Sequence, residues 1–137
     1  MTLNQDLDPA QAGSGLILLA HGSPDALWRV PIEAVLQAVQ QQAPHLACCC
    51  AYLDACEPEL PTAAAELVAA GASRIVVLPL FLGTGKHARQ DIPRLVELVR
   101  MQHPQLDLVL EPAAGENPLV TGLLARIALQ SLEKKED

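Results

Sequence analysis

Two histidines follow predicted strands at places where an open site can form. His21 comes directly after the apolar run LILLA at residues 16–20, and His87 lies in the segment LFLGTGKHARQD at residues 80–91. Neutral imidazole binds divalent iron, cobalt, nickel and zinc, and it accepts protons near neutral pH. Because two imidazoles without a dense set of thiolates or carboxylates leave coordination positions free, they suit a metal that is passed on better than one that is stored. The pair predicts a metal-transfer or acid–base site.

Charged side chains in and near the same segments are further candidates for the site. Asp54 and Glu57 follow the second predicted strand, where a carboxylate can act as an acid, a base or a metal guide, or can simply open the next helix. The cations Arg29, Lys86 and Arg89 can hold the carboxylates of an anionic ligand or can be solvated surface charges. The two carboxylates are therefore candidates for catalysis, and the three cations are candidates for substrate binding.

Uncharged residues of the same two loops complete the candidate site. Gly83 opens the stretch GTGK, which lacks the G-x-x-x-x-G-K-[ST] spacing of a nucleotide-binding loop. Its two glycines, Gly83 and Gly85, predict a mobile or tightly turned loop instead. Phe81 can line an apolar wall for a flat ligand or belong to the core. Ser23 has no G-x-S-x-G elbow around it, so it is a substrate-binding candidate and not a predicted hydrolase nucleophile. Gly22 is expected to let the backbone turn close to a ligand.

The elements that must position these residues alternate along the chain. Strands are predicted at residues 16–20, 46–53, 74–80 and 106–110, and helices at residues 29–43, 58–70, 88–102 and 117–132. Such alternation indicates an α/β fold, with an open four-stranded parallel sheet and helices on both faces. The predicted strand order is the flavodoxin-like 2-1-3-4.

This topology separates the four histidines into two groups. Ligands of such sheets bind outside the carboxyl ends of the strands, where the strand order reverses between strands one and three. His21 and His87 leave those two strands, whereas His45 and His103 precede strands two and four at the opposite edge. The sequence therefore predicts that His21 and His87 share a crevice.

Proline, glycine and asparagine residues mark the predicted ends of three helices. Pro31 is expected in the first turn of the first helix, where a missing N–H is tolerated, and Gly71 is expected to cap the second helix. Asn117 is predicted to cap the last helix, with Pro118 in its first position.

Length and composition limit the possible partners. The 137 residues, half of them hydrophobic, predict one domain at residues 15–132, with polar tails at residues 1–14 and 133–137. A formal charge of −7 and only three aromatic residues disfavour nucleic-acid binding, and so few rings also disfavour a stacked flavin. The first residues lack a signal-peptide pattern and no apolar run is long enough to span a bilayer, so no membrane partner and a cytoplasmic location are expected.

The four cysteines form a pattern that suits neither disulfides nor zinc. Cys48, Cys49 and Cys50 are consecutive, and Cys56 follows shortly after them. In a strand, the first and third of these would face one side of the sheet and the second would face the other. We interpret them as small buried residues of a reducing compartment in preference to redox or metal-binding groups.

Several of these motifs in combination resemble the small CbiX-type sirohydrochlorin chelatases, a branch of the class II chelatases. The resemblance covers roughly residues 15–128 and lies in LLAHGSPD, YLDACEPELPTAAAELVAAGASRIVVLPLFLGTGKHARQDIP and EPAAGENPLV. It implies a chelatase-like fold and a lyase that inserts a divalent metal into a tetrapyrrole without nucleotide or flavin. It further implies a homodimer, with His21 and His87 at the metal site.

The resemblance implies sirohydrochlorin as the substrate, in sirohaem or cobalamin biosynthesis. Co²⁺ is the favoured metal, with Fe²⁺ or Ni²⁺ as alternatives. Where relatives often carry Glu after the second strand, this chain has Asp54, so the catalytic carboxylate stays open between Asp54 and Glu57. Two other functions also stay open, a non-catalytic metal or tetrapyrrole carrier and a flavodoxin-like electron carrier.

Overall fold

The computed structural model describes residues 13–134. The strands are β1 (Ser14–Ala20), β2 (Ala47–Tyr52), β3 (Arg74–Pro79) and β4 (Asp107–Leu110). The helices are α1 (Ala26–Gln42), α2 (Leu60–Ala69), α3 (Lys86–Gln102) and α4 (Pro118–Ser131), with a 3-10 turn at Ala114–Glu116. Of the predicted tails, residues 1–12 and 135–137 lie outside the described residues, and Ser14 is the first residue of β1.

The sheet has the predicted topology. All four strands are parallel and their order is β2-β1-β3-β4, which confirms the expected reversal between β1 and β3. The run Ile17–Ala20 in the middle of this sheet is at most 1% exposed. A parallel strand with neighbours on both sides and covered faces must be apolar throughout, which explains the continuous run at this point of the sequence.

Helices cover the two faces of the sheet unequally. On one face, α2 and α3 bury a core with β1 and β3, whose larger members include Ile17, Leu19, Leu60, Ile75, Val77, Ile92, Val96 and Val99. On the other face, α1 packs Trp28, Ile32 and Leu36 over residues of β1 and β2. This second cluster is smaller because one helix covers only part of the face.

The cysteines of β2 alternate as a strand requires. Cys49 packs with the core beneath α2 and α3, and Cys48 and Cys50 pack on the side of α1. The expectation from period-two alternation is therefore confirmed, and the three thiols are divided between two faces of the sheet.

The first helix starts earlier than predicted. Asp25 is its N-cap and accepts a hydrogen bond from Leu27 N–H at 2.9 Å, so α1 begins at Ala26 and not at residue 29. Pro31 consequently lies in the second turn, and the expectation of a first-turn proline is wrong. Gly71 follows the cap residue Ala70 with φ +107°.

The last two helices differ in how well their starts were predicted. α3 begins at Lys86, which places His87 in its first turn, whereas the predicted start was residue 88. α4 begins as expected, with Pro118 in the first position and the Asn117 side chain accepting from Leu119 N–H at 2.9 Å. Within residues 13–134, no helix is both long and apolar enough to cross a membrane.

Candidate functional site

The His21 ring rests on an aromatic side chain delivered by the neighbouring strand. His21 is exposed directly after β1, and its ring stacks on Phe81 with centroids 4.3 Å apart and planes 27° apart. Phe81 is 4% exposed and follows β3, which is held against β1 by a hydrogen bond of 2.7 Å from Leu80 N–H to Leu19 O. Stacking on a buried ring restricts the positions that the imidazole can take.

The backbone of Phe81 is held by the turn that follows β4. The Phe81 carbonyl accepts a hydrogen bond of 2.8 Å from Gly115 N–H, in the 3-10 turn that follows β4. A Cβ on Gly115 would overlap the Leu82 carbonyl oxygen, so this position requires glycine for the close approach. The turn after β4 thereby fixes the segment that carries Phe81, a role that neither Phe81 nor Gly115 reveals in the sequence.

The loop after β2 is joined to the His21 segment through the main chain. Leu53 N–H donates to Ala20 O at 2.9 Å, and Asp54 N–H donates to His21 O at 3.1 Å. Gly22 has φ +102°, and a Cβ there would overlap the Asp54 carbonyl oxygen. The close approach that requires glycine here is therefore that of the neighbouring loop's backbone, and approach of Gly22 to a ligand stays a prediction.

The two candidate carboxylates both lie on this loop. Asp54 and Glu57 are exposed and line one open cavity of about 360 Å³ together with Cys56 and Glu59. α2 begins at Leu60 after Glu59, so Glu57 is not the residue that opens the helix. Asp54 is the one of the two whose backbone N–H donates a hydrogen bond to the His21 carbonyl, and a catalytic role for either carboxylate stays a prediction.

Two of the candidate substrate-binding residues hold the loop after β1 in shape. The Ser23 hydroxyl accepts from Asp25 N–H at 3.0 Å, and Arg29 donates from Nη1 to the Ser23 carbonyl at 3.1 Å. Both side chains are half-buried. The Arg29 guanidinium has further N–H groups besides the one that donates to the Ser23 carbonyl.

The loop after β3 is braced in the same way. Arg89 donates from Nη1 to the Thr84 carbonyl at 2.7 Å, and Arg89, like Arg29, is the fourth residue of its helix. Gly83, Lys86 and His87 are exposed, and a Cβ on Gly83 would meet no atom within 4 Å. An arginine therefore steadies each of the two loops that carry a histidine.

The structure brings the predicted residues to one edge of the sheet without enclosing them. His21 and His87 leave the adjacent strands β1 and β3 at their carboxyl ends, while His45 and His103 lie at the opposite edge. Among residues 13–134, no three His, Cys, Asp or Glu side chains form a group able to hold a metal ion. The two histidines therefore lie at the same edge of the sheet, and their joint binding of a metal ion stays a prediction.

Two further cavities are lined by neither histidine. One of about 490 Å³ lies between Leu16, Val76 and Leu78 of the sheet and the segment after β4. One of about 270 Å³ lies between the segment after β4 and the start of α3, and its lining includes Thr84 and Arg89. We place the candidate site at the histidines in spite of this, because enclosed volume selects small ligands, whereas imidazoles on an open edge can face a large flat one.

Cys48, Cys49, Cys50 and Tyr52, all on β2, are neutral near pH 7. Burial raises the pKa of Cys48 to about 11 and that of Cys49 to about 12, and it also raises the pKa of Cys50. Burial raises the pKa of Tyr52 to about 12. Because the thiolate is the form that binds metals and attacks electrophiles, Cys48, Cys49 and Cys50 are unsuited to either role. Cys50 is buried as expected, whereas Cys48, Cys49 and Cys56 are only half-buried, so the expectation of buried residues is confirmed for one of the four.

Comparison with known proteins identifies similar chains among the sirohydrochlorin chelatases. The chain is 34% identical over 127 residues to a sirohydrochlorin cobaltochelatase of Saccharolobus solfataricus, covering 88% of this chain and 97% of that one. It is 31% identical over 87 residues to a sirohydrochlorin ferrochelatase of Priestia megaterium, covering 63% of this chain and 33% of that one. The matched part spans only 58–62% of four further curated cobaltochelatases.

A solved structure and a family model extend the match to most of the chain. The crystal structure of a cobalamin (vitamin B12) biosynthesis CbiX protein from Marinobacter aquaeolei VT8 superposes with a TM-score of 0.79 at 30% identity, covering 89% of this chain and 99% of that one. The CbiX family model matches residues 15–131. The chain therefore belongs to the CbiX family.

Proposed function

We propose that this chain is a sirohydrochlorin chelatase, which inserts a divalent metal into the macrocycle without a nucleotide. The observation that carries the proposal is the delivery of His21 and His87 to one sheet edge by the adjacent strands β1 and β3. Membership of the CbiX family supports it, as do the relatives that are named cobaltochelatase and ferrochelatase.

Metal insertion exchanges two protons for one divalent cation. The two pyrrole N–H bonds of the macrocycle break, four nitrogen–metal bonds form, and two protons leave. An imidazole can serve this reaction as a metal ligand before transfer and as a proton acceptor during it. We assign both roles to His21 and His87, with the stack on Phe81 keeping the His21 ring in position.

Asp54 is the carboxylate that we assign to the same step. Its backbone N–H donates a hydrogen bond to the His21 carbonyl, so a movement of either loop also shifts the residue on the other loop. An exposed carboxylate on this loop would attract the incoming cation, and within a few Å of the imidazole it would stabilise the imidazolium that forms when a proton is taken up. Glu57 lines the same cavity and is the alternative for this role.

The acidic side chains of the macrocycle require cationic partners at the rim. Lys86 is exposed in the first turn of α3, and Arg29 and Arg89 keep free donors after bracing their loops. Phe81 is buried beneath His21, so we assign it to positioning instead of to contact with the ligand. Ser23 and Gly83 remain substrate-binding candidates on the same two loops.

Cobalt is the metal that we propose, with iron and nickel as alternatives. Imidazole ligands suit all three, and ligand affinity by itself does not set metal selectivity. The relatives at similar identity differ in their named metal, since one is a cobaltochelatase and another a ferrochelatase. Initial rates with each metal under anaerobic conditions decide among them.

The test is an anaerobic absorbance assay of metal insertion into sirohydrochlorin, with His21→Ala, His87→Ala and His45→Ala compared. General acid–base groups contribute about 100-fold or more to rates, so we expect at least that loss for the first two variants. His45 is exposed at the opposite edge, and its variant should retain the full rate. Full activity in either of the other variants, folded as judged by circular dichroism, contradicts the assignment, and macrocycle binding without faster insertion identifies a carrier.

A further inference from the structure

The helices α1 and α3 are built alike on opposite faces of the sheet. Each has 17 residues and ends at a cap residue whose N–H donates to the carbonyl four residues earlier, that of Val39 or Val99. α1 packs with β2, and α3 packs with β4 on the other face. The fourth residue of each helix is an arginine that donates to a carbonyl of the preceding loop, Arg29 or Arg89. The two helix starts are therefore equivalent and can be compared position by position.

The second and third positions of these helices carry different side chains. The second residue is Leu27 in α1 and His87 in α3, and the third is Trp28 in α1 and Ala88 in α3. The Trp28 ring lies near the ring of Tyr52 at the end of β2, with centroids 6.3 Å apart, and packs into the apolar cluster beneath α1. The half of the chain that carries the helical histidine thus has a methyl group at the next position, where the other half has an indole.

The space that the Trp28 ring fills beneath α1 is open beneath α3. The cavity of about 270 Å³ lies there, and its apolar lining includes Ala88, Ile92, Leu110 and Ala113. Ala88, Ile92 and Ala113 are buried, so the floor of the cavity is apolar. Pockets that enclose whole small ligands measure about 300–1,000 Å³, so this one has room for a side chain of a larger molecule.

The two walls of this cavity carry opposite charges. The wall formed by α3 holds Arg89, which donates from Nη1 to the Thr84 carbonyl, and the wall after β4 holds the exposed Glu111 and Glu116. Within residues 13–134, neither glutamate forms a salt bridge with Arg89, so the other N–H groups of its guanidinium have no carboxylate partner. A guanidinium above an apolar floor matches a carboxylate on a short alkyl stem, with the carboxylate on the α3 wall.

We propose that this cavity, which we call the arm pocket, receives one carboxyalkyl side chain of the macrocycle and holds its carboxylate on Arg89; this rests on the proposed function. Ala88 is then a specificity-determining residue, because its methyl group leaves the arm pocket open where Trp28 closes the equivalent space. His87 directly precedes Ala88 in the first turn of α3, so a side chain held in the arm pocket fixes the macrocycle beside one of the two histidines. The α1 half offers neither a histidine nor an open space at the equivalent positions, so the two helix starts give the macrocycle a single orientation.

The test titrates the full chain with metal-free sirohydrochlorin and follows the absorbance of the macrocycle. Ala88→Trp fills the arm pocket with the side chain of the equivalent position, and we expect the Kd of the macrocycle to rise about tenfold or more, because a charge-assisted hydrogen bond is lost. Ala88→Met fills it less and should raise the Kd less, while its urea midpoint of unfolding stays unchanged or rises, as expected for filling an existing cavity. The control is Gln90→Trp, which places the same ring at an exposed position of α3 and should bind as the unmodified chain does. Circular dichroism establishes that each variant is folded.

Insertion kinetics separate the arm pocket from the proposed function. In Ala88→Trp we expect a higher KM for the macrocycle with kcat retained, since the lost contact is to a part of the substrate that does not react. Folded Ala88→Trp and Ala88→Met proteins that bind the macrocycle as tightly as the unmodified chain overturn the arm pocket, and so does a Gln90→Trp protein that binds as weakly as Ala88→Trp. An unmodified chain that binds the macrocycle without inserting metal overturns the proposed function instead, and the comparison of Kd values still decides the arm pocket.

Discussion

The contact between Gly22 and the Asp54 carbonyl gives a sharp test of how the site is built. Gly22→Ala combines two costs, because the position has φ +102° and the new Cβ would overlap the Asp54 oxygen. The loop after β2 must move away to relieve the overlap. That movement stretches the hydrogen bonds from Asp54 N–H to His21 O and from Leu53 N–H to Ala20 O.

Three other glycines allow the cost of the left-handed φ and the cost of the steric overlap to be measured separately. Gly71 has φ +107° with no atom near its Cβ position, Gly115 has the overlap without the left-handed φ, and Gly83 has neither. A left-handed L-residue costs about 1–2 kcal/mol, and Gly→Ala restricts the unfolded chain by about 0.4–1 kcal/mol in the opposite sense. Gly71→Ala should therefore lower the free energy of unfolding by about 1 kcal/mol, and Gly83→Ala should leave it unchanged or slightly higher.

Gly22→Ala should lower the free energy of unfolding by about 3 kcal/mol, because two hydrogen bonds worth about 1 kcal/mol each are weakened in addition to the φ cost. Urea titrations followed by circular dichroism measure all four variants. The rate of metal insertion should fall further in Gly22→Ala than in Gly115→Ala, since the first displaces His21 and Asp54 directly. Independent effects on stability usually add to within about 0.5 kcal/mol. The close contact would therefore be refuted if the free energies of unfolding of Gly22→Ala and Gly71→Ala differed by less than about that amount.

Two further predictions concern the groups beneath the site. Phe81→Leu should slow metal insertion, because leucine cannot stack on the His21 ring. It should lower the free energy of unfolding by only about 1.5 kcal/mol or less, because leucine fills most of the buried space. An unchanged rate contradicts the positioning role. Cys48 and Cys49 should be alkylated by iodoacetamide at pH 8 about 100-fold or more slowly than in the urea-unfolded chain, because their raised pKa values lower the thiolate fraction about tenfold per unit. Peptide mass spectrometry follows the reaction, and equal rates in the folded and unfolded chain contradict the burial of these thiols.

The sheet order and the division of the histidines could be predicted because both depend on local signals. Apolar runs and helical spacing locate strands and helices, and strict β–α alternation leaves few topologies. Once the order is known, the carboxyl edge of each strand is known, and His21 and His87 are separated from His45 and His103 without any coordinates.

Helix starts were predicted less well because capping competes with apolar spacing. The apolar stripe of α1 begins late, but Asp25 satisfies the first N–H groups and adds a turn. α3 likewise begins two residues early, at Lys86, which decides that His87 is a helical residue and not a loop residue.

The sequence by itself determined which edge of the sheet carries the chemistry, because strand polarity and connectivity are local properties of the chain. Only the tertiary structure decided that Phe81 supports His21 and that Gly22 meets Asp54, since these contacts join residues whose spacing encodes no distance.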